Sequence, residues 1–167
     1  IMSKKIAEGA LHLVIDLKIG SGAFMPNLRK ANKLAELMLK TGKSFGQKVR
    51  VVFSNMNSPL GNAVGNALEM IEAIEYLKGN YLSDTYELTT ELVSQMLIST
   101  GKADSPHQAK TMIDETITSG KALEKFREII IAQGGEPRVI NDYSLFAQAP
   151  VSVPIIAKQN GWVHNRD

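Results

Sequence analysis

From Leu11 to Ile19 the chain reads Leu-His-Leu-Val-Ile-Asp-Leu-Lys-Ile, a β-branched run with no helical period. Gly20-Ser-Gly-Ala-Phe-Met-Pro breaks it at once. Such a run marks a strand buried in a parallel sheet. A parallel strand needs a crossover before its partner, and the next residues supply one. Leu28, Ala31, Leu34, Ala35 and Met38 recur at helical spacing, with Pro26 suited to the first turn and Gly42 as the stop. Val49 to Phe53 reads as the second strand. The loop Ser54-Asn-Met-Asn-Ser-Pro follows, then a helix striped by Val64, Ala67, Leu68, Ile71 and Ile74. A short helix from Met2 to Gly9 precedes the first strand. This order predicts an α/β fold, a parallel sheet with flanking helices.

Beyond about Asp84 the strand signals cease. Asp84 with Glu87 is placed to cap a helix carrying Leu88, Leu92, Met96 and Leu97. Ser105-Pro-His-Gln is a capping box with proline in the first helical position, and its helix runs to Gly120. Another, with Leu123, Phe126, Ile129 and Ile130, runs to Gly134-Gly135. Val151 to Ala157 reads as an edge or broken strand because of Pro154. Gly161-Trp-Val-His opens a further extended piece. Residues 1–148 thus form part of one α/β domain, and 149–167 the start of a C-terminal β-rich module. Ile1 rather than Met opens the chain, inside an apparent helix, so the expectation is a truncated domain, cut from a longer protein.

Composition narrows the function. Nineteen basic residues against seventeen acidic ones give a net charge of +2 with no Lys/Arg block, which argues against a nucleic-acid partner. No apolar run approaches a membrane span. The absence of cysteine removes disulfides and thiolate metal sites and fits a cytoplasmic protein.

The residues that could carry chemistry read modestly by themselves. Gly20-Ser-Gly lies where α/β proteins bind ligands, after a strand and before a helix, yet a plain turn would look the same. It is neither a dinucleotide fingerprint nor a P-loop. Asp16 and Lys18 share a strand face and read as a local ion pair. Lys4 and Lys5 read as solvated charges, Glu72 as a surface helix residue, and the Ser54 loop as a cap for the next helix. His12, His107 and His164 are too dispersed for a metal site or a nucleophilic triad.

Five stretches taken together resemble the thymidine/pyrimidine-nucleoside phosphorylase family. They are Met2-Ser-Lys-Lys-Ile-Ala-Glu-Gly, Val14-Ile-Asp-Leu-Lys-Ile-Gly-Ser-Gly-Ala-Phe-Met, Asn55-Met-Asn-Ser-Pro-Leu-Gly-Asn-Ala-Val-Gly-Asn-Ala-Leu-Glu, Ser119-Gly-Lys-Ala-Leu-Glu-Lys-Phe and Ala132-Gln-Gly-Gly. Any one is a soft motif, but five in register are specific. The resemblance implies a glycosyltransferase that reversibly phosphorolyses a pyrimidine nucleoside to free base and a pentose 1-phosphate, with inorganic phosphate as co-substrate. Lys4 aligns with the family's lysine for the pyrimidine carbonyl, where charge builds as the glycosidic bond breaks. Phe24 and Met25 align with the base-pocket lining. Leu60 and Ala63, through backbone carbonyls, and Glu72, through its carboxylate, align with ligands of a potassium ion.

The same resemblance places the phosphate loops, the histidine at the base, and the serine and arginine partners of Lys4 outside this chain. No catalytic residue is therefore expected within it, and no phosphorolysis by the chain alone. The resemblance implies a homodimeric parent enzyme, with this chain by itself expected to be monomeric. Two positions depart from the family: Asn55 stands for the usual aspartate, removing a charge beside the cation loop, and Ser58 for the usual glutamine. Two other readings stay open. One is an anthranilate-type phosphoribosyltransferase, although its diphosphate loop and acidic metal-binding pairs are not found. The other is a non-catalytic binding module on the same fold.

Overall fold

The structure is a computed structural model and describes residues 1–162. It is built in three layers around one strand pair. Helix α1 (Met2–Ala7) leads into β1 (His12–Ile19), α2 (Leu28–Ser44) and β2 (Lys48–Asn55). Strands β1 and β2 are parallel in the register His12 opposite Lys48 through Ile19 opposite Asn55. Four helices follow: α3 (Asn66–Leu77), α4 (Ser83–Ser99), α5 (Pro106–Thr118) and α6 (Lys121–Ala132). Two 3₁₀ turns, Pro137–Ile140 and Tyr143–Leu145, close the helical part.

The alternation of β1 and β2 decides which helix covers which face. Leu13, Ile15, Leu17, Ile19, Val49 and Val51 pack into one core with Met2 of α1 and with Ala31, Ala35 and Met38 of α2. The opposite face meets α4. There His12 Nδ1 lies 2.8 Å from Ser99 Oγ, and Arg50 donates to Gln95 at 2.6 Å. Burial of the odd-numbered residues therefore leaves Asp16, Lys18 and Ser54 on the α4 side. Gln47, itself buried, donates to the carbonyls of Lys5 and Ala10 and ties the α1–β1 turn to the start of β2.

Several expectations need correction. Gly42 does not stop α2 but lies within it, buried, because a Cβ there would overlap the side chain of Val49. The stop is Phe45-Gly46, with Gly46 at φ 73°. Pro26 precedes the helix, whose N-cap is Asn27, accepting from Lys30 N at 3.0 Å. Leu28, Val64 and Leu68, expected on buried stripes, are exposed at the surface, and Val64 lies before α3 begins. Asp84 caps no helix end, for α4 starts a residue earlier, with Leu82 as its N-cap and no side-chain cap. Ser105 caps α5 as expected, accepting from Gln108 N at 3.2 Å, and Ala109, Ile113 and Ile117 bury its inner face.

Val151 to Ala157 forms no strand. An isolated extended segment has no ladder to satisfy its amides, and Val151, Val153, Ile155 and Ile156 are all largely exposed. His164 and the rest of 163–167 lie outside the described residues.

Candidate functional site

The carboxyl ends of β1 and β2 point the same way, so the loops that leave them meet. Met56 N donates to Ile19 O at 2.7 Å, Gly22 N to Met56 O at 2.9 Å, and Ser21 N to Asn57 Oδ1 at 3.0 Å. Gly20 holds φ 145°, and a Cβ there would come within 2.6 Å of the Met56 carbonyl carbon. Only glycine fits between the two loops. The Ser54 loop therefore does not cap α3, whose N-cap is Gly65 without a side-chain bond. It docks instead against the Gly20-Ser-Gly turn.

Two clefts open at this junction. The first, of about 510 Å³, runs along the outer edge of β1, taking in four successive residues from Ile15 to Lys18. Its walls are apolar: Phe24, Met25, Leu34, Met38 and Met56, with Ile1 at the start of α1. Phe24 and Met25 thus share this cleft, with Phe24 fully exposed in the mouth. Lys4 is not in the lining. It stands exposed on α1 three residues beyond Ile1, and its side chain makes no hydrogen bond or ion pair among the described residues. Lys5, beside it, pairs with Glu8 at 3.2 Å.

The second cleft, of about 240 Å³, is lined by Asn55, Ser58, Pro59, Leu60, Ala63 and Glu69, and meets the first at Lys18 and Met56. At that partition Asp16, Lys18 and Ser54 form a closed trio. Lys18 Nζ donates to Asp16 Oδ2 at 2.7 Å and to Ser54 Oγ at 3.2 Å, while the Ser54 hydroxyl donates to the other Asp16 oxygen. The expected Asp16–Lys18 ion pair exists. What sequence reasoning missed is Ser54, directly opposite Lys18 in the register, and the setting of all three at a cleft. The signal was present in outline, since a polar pair on one strand face at its carboxyl end is a costly arrangement without a purpose.

Beyond Pro59 the chain is gripped by carboxylates. Gly61 N donates to Asp84 at 3.0 Å, Asn62 N to Glu72 Oε1 at 2.9 Å, and Gly65 N to Glu69 at 2.8 Å. A Cβ on Gly61 would overlap the Glu72 carboxylate. Glu72 is therefore not a plain surface residue. Because N–H and C=O of one planar trans peptide oppose each other, the Leu60 carbonyl turns away from Asp84. Neither it nor the Ala63 carbonyl accepts a hydrogen bond among the described residues. Two open carbonyls and a carboxylate are the hard oxygen set that suits an alkali cation. No group of three or more His, Cys, Asp or Glu is placed to hold a metal among the described residues.

A third cleft, of about 400 Å³, lies between α3 and α4 below Glu72. Tyr81 stacks on Tyr86 at 4.5 Å there and tilts against Tyr76 at 5.4 Å. Burial pushes the Tyr76 phenol above its ordinary value. At the far end of α3, Glu75 receives Tyr143, Asn80 and Lys78. The Tyr143 hydroxyl first, then the Asn80 and Lys78 donors, hold its carboxyl down at about 2. That cluster fastens the 3₁₀ turn to α3 and touches the third cleft only through Asn80.

The chain resembles known proteins along most of its length. Residues 1–123 match the glycosyl transferase family, a/b domain. Over 163 residues, 98% of the chain, it is 45% identical to the pyrimidine-nucleoside phosphorylases of Staphylococcus aureus strains USA300 and NCTC 8325 / PS 47. The strain bovine RF122 / ET3-1 protein of the same name shows the same identity. The chain spans 38% of the length of these curated relatives. No helix among the described residues is long and apolar enough to cross a membrane.

Proposed function

The chain belongs to the glycosyl transferase family, and from that membership we propose that it forms part of a pyrimidine-nucleoside phosphorylase. The activity is reversible phosphorolysis: phosphate displaces the pyrimidine from C1′ of the nucleoside, giving free base and a pentose 1-phosphate. The observation that carries this reading is the apolar cleft along β1, with Phe24 and Met25 in its wall and the names of the relatives behind it. A flat heterocycle needs apolar faces around it and polar groups only at its rim. Lys4, on the helix that borders the cleft through Ile1, supplies a cation for the base oxygens. There the leaving pyrimidine gathers negative charge through an oxocarbenium-like transition state.

Phosphate and the acid that protonates the base are assigned to residues other than those of this chain. Potassium is held, in this reading, by the Leu60 and Ala63 carbonyls and the Glu72 carboxylate. The ion would offset the carboxylates of Glu69, Glu72 and Asp84 that crowd the loop and keep that loop in place. Substrates are a pyrimidine nucleoside and phosphate, and the whole enzyme is a cytoplasmic homodimer.

Ligand-observed NMR with thymine and uracil tests the base pocket. Both bases bind weakly to the protein, and Lys4→Ala weakens them by about tenfold, the loss of one hydrogen bond to a charged group. Absence of binding by either base, with the chain folded, overturns the assignment of the β1 cleft to the pyrimidine.

A further inference from the structure

The geometry points to Lys18 as a pentose-binding residue, held for that task by Asp16 and Ser54; this deepens the nucleoside reading above and rests on it. The two clefts share one partition. Among the described residues, Lys18 and Met56 alone line both clefts. On one side the walls are mostly apolar, with Leu17, Phe24, Met25 and Met38. On the other, Asn55, Ser58 and Glu69 place polar groups among Pro59, Leu60, Ala63 and Val64. A nucleoside joins a flat base with apolar faces to a sugar whose hydroxyls need polar groups beside them. With the base in the β1 cleft, the sugar crosses the partition and lies beside the Lys18 ammonium.

The donors of that ammonium are countable. Of three N–H groups, one goes to Asp16 and one to Ser54, at 2.7 and 3.2 Å. The third is left for a ligand. Its preference follows from charge: Asp16 neutralises Lys18 within the trio, so a phosphate dianion gains little there over a neutral oxygen. A sugar hydroxyl suits such a donor and can in turn give its own proton to a nearby acceptor. Both anchors sit on the strands, Ser54 opposite Lys18 in the register, so the ammonium is fixed to the rigid sheet rather than to a loop. The side chain of Lys18 remains 33% exposed, which leaves it accessible to a ligand in either cleft.

Separate titrations of uracil, uridine and inorganic phosphate into the protein and into Lys18→Met test this. Uridine binds the parent protein more tightly than uracil. In Lys18→Met uridine affinity falls about tenfold, the expected loss of one hydrogen bond to a charged donor, while uracil affinity stays within about twofold. Retained uracil binding also reports that the variant is folded. An undiminished advantage of uridine in Lys18→Met overturns the proposal. So do an equal loss of uracil and uridine, a loss of phosphate affinity instead, or equal binding of the two by the parent. Should Lys18→Met fail to fold, Lys18→Arg decides, because it keeps the pair with Asp16 but displaces the third donor. Loss of the uridine advantage there supports the assignment, and its full retention overturns it. A parent protein that binds neither uracil nor uridine sinks the phosphorylase reading itself, and Lys18 falls with it.

Discussion

The glycines packed against the sheet and those that end helices do different work in this molecule. In the strand-bearing half, Gly20, Gly22 and Gly42 all face atoms within 3.0 Å of where a Cβ would stand. In the helical half, Gly79, Gly101, Gly120 and Gly134, like Gly9 and Gly46 before them, face nothing within 4 Å and turn the chain at helix ends, while Gly135 alone would press on its own helix at Ile130. The first half is packed backbone against backbone and helix against strand. The second is a set of helices joined by open turns, with larger side chains such as Ile74, Ile113, Ile117 and Ile140 filling the space between. The site follows the first kind of packing. A cleft floor made of strand ends and interlocked loops ties its groups to the sheet, the kind of support ligand recognition needs and an open helical turn does not offer.

That contrast can be broken by substitution. Gly20→Ala should cost about 3 kcal/mol, from a backbone conformation alanine resists and from collision with Met56. Chemical denaturation measures it, and a cost under about 1 kcal/mol would mean that the two loops separate without penalty. Gly42→Ala should cost about 2 kcal/mol by overpacking α2 on β2. Combined with Val49→Ala, the effects should fail to add, with a coupling of about 1 kcal/mol in favour of the double variant. Simple additivity would remove Val49 as the cause.

Gly120→Ala, in the helical half, should cost only about 1 kcal/mol, the strain of a left-handed residue with no collision behind it, and Gly120→Asn less. A thermal melt as severe as that of Gly20→Ala would erase the distinction between the halves. Tyr143→Phe should cost about 1 kcal/mol near neutral pH, through the lost bond to Glu75. The depressed pKa of Glu75, about 2 against an ordinary 4.5, fixes the pH dependence. A lowered folded-state value stabilises above the unfolded one, so the contribution is complete above about pH 4.5 and fades as pH falls towards 2. The deficit of Tyr143→Phe should shrink across that window. A deficit constant with pH would detach Tyr143 from Glu75. Smallest of all, Lys4→Ala should leave the melting temperature unchanged, since Lys4 is an exposed side chain. Any stability loss beyond about 0.5 kcal/mol would show that Lys4 has a structural task.

Much of the architecture could be read in advance. The β-branched run at Leu11 to Ile19 and the apolar face through Ala31, Ala35 and Met38 gave the strand, the crossover helix and the parallel pairing. Ser105 announced α5 by its chemistry. Errors arose where a residue's role depends on what lies opposite it. Gly42 looked like a helix stop because its contact, Val49, is not near it in helical spacing. Asp84 looked like a cap, while its oxygen in fact holds Gly61 from 23 residues away. Val151 to Ala157 had the composition of a strand, but a strand exists only with a partner.

The candidate site divides in the same way. Phe24 and Met25 could be named from the resemblance, and the structure places both in one cleft. Asp16 and Lys18 were legible as a pair because residues two apart on a strand share a face. Ser54 could not be joined to them from sequence, since the one-residue precision of register is set only when the strands pair. Likewise Glu72 read as an ordinary helix residue until the Gly61 loop folded back across it.

The sequence by itself determined the local periods, a helix boundary marked by as clear a cap as Ser105, and the parallel α/β order. These depend on neighbours within a few residues, whose geometry is fixed by backbone sterics and side-chain burial. Only the tertiary structure decided which polar groups meet. It turned Lys18 from half of an ion pair into the partition between two clefts, and it made Gly20 the point where two loops touch. The register of β1 on β2 and the seating of α2 and α4 on opposite faces of the sheet come from packing, which sums contacts over the whole chain and which no single stretch encodes.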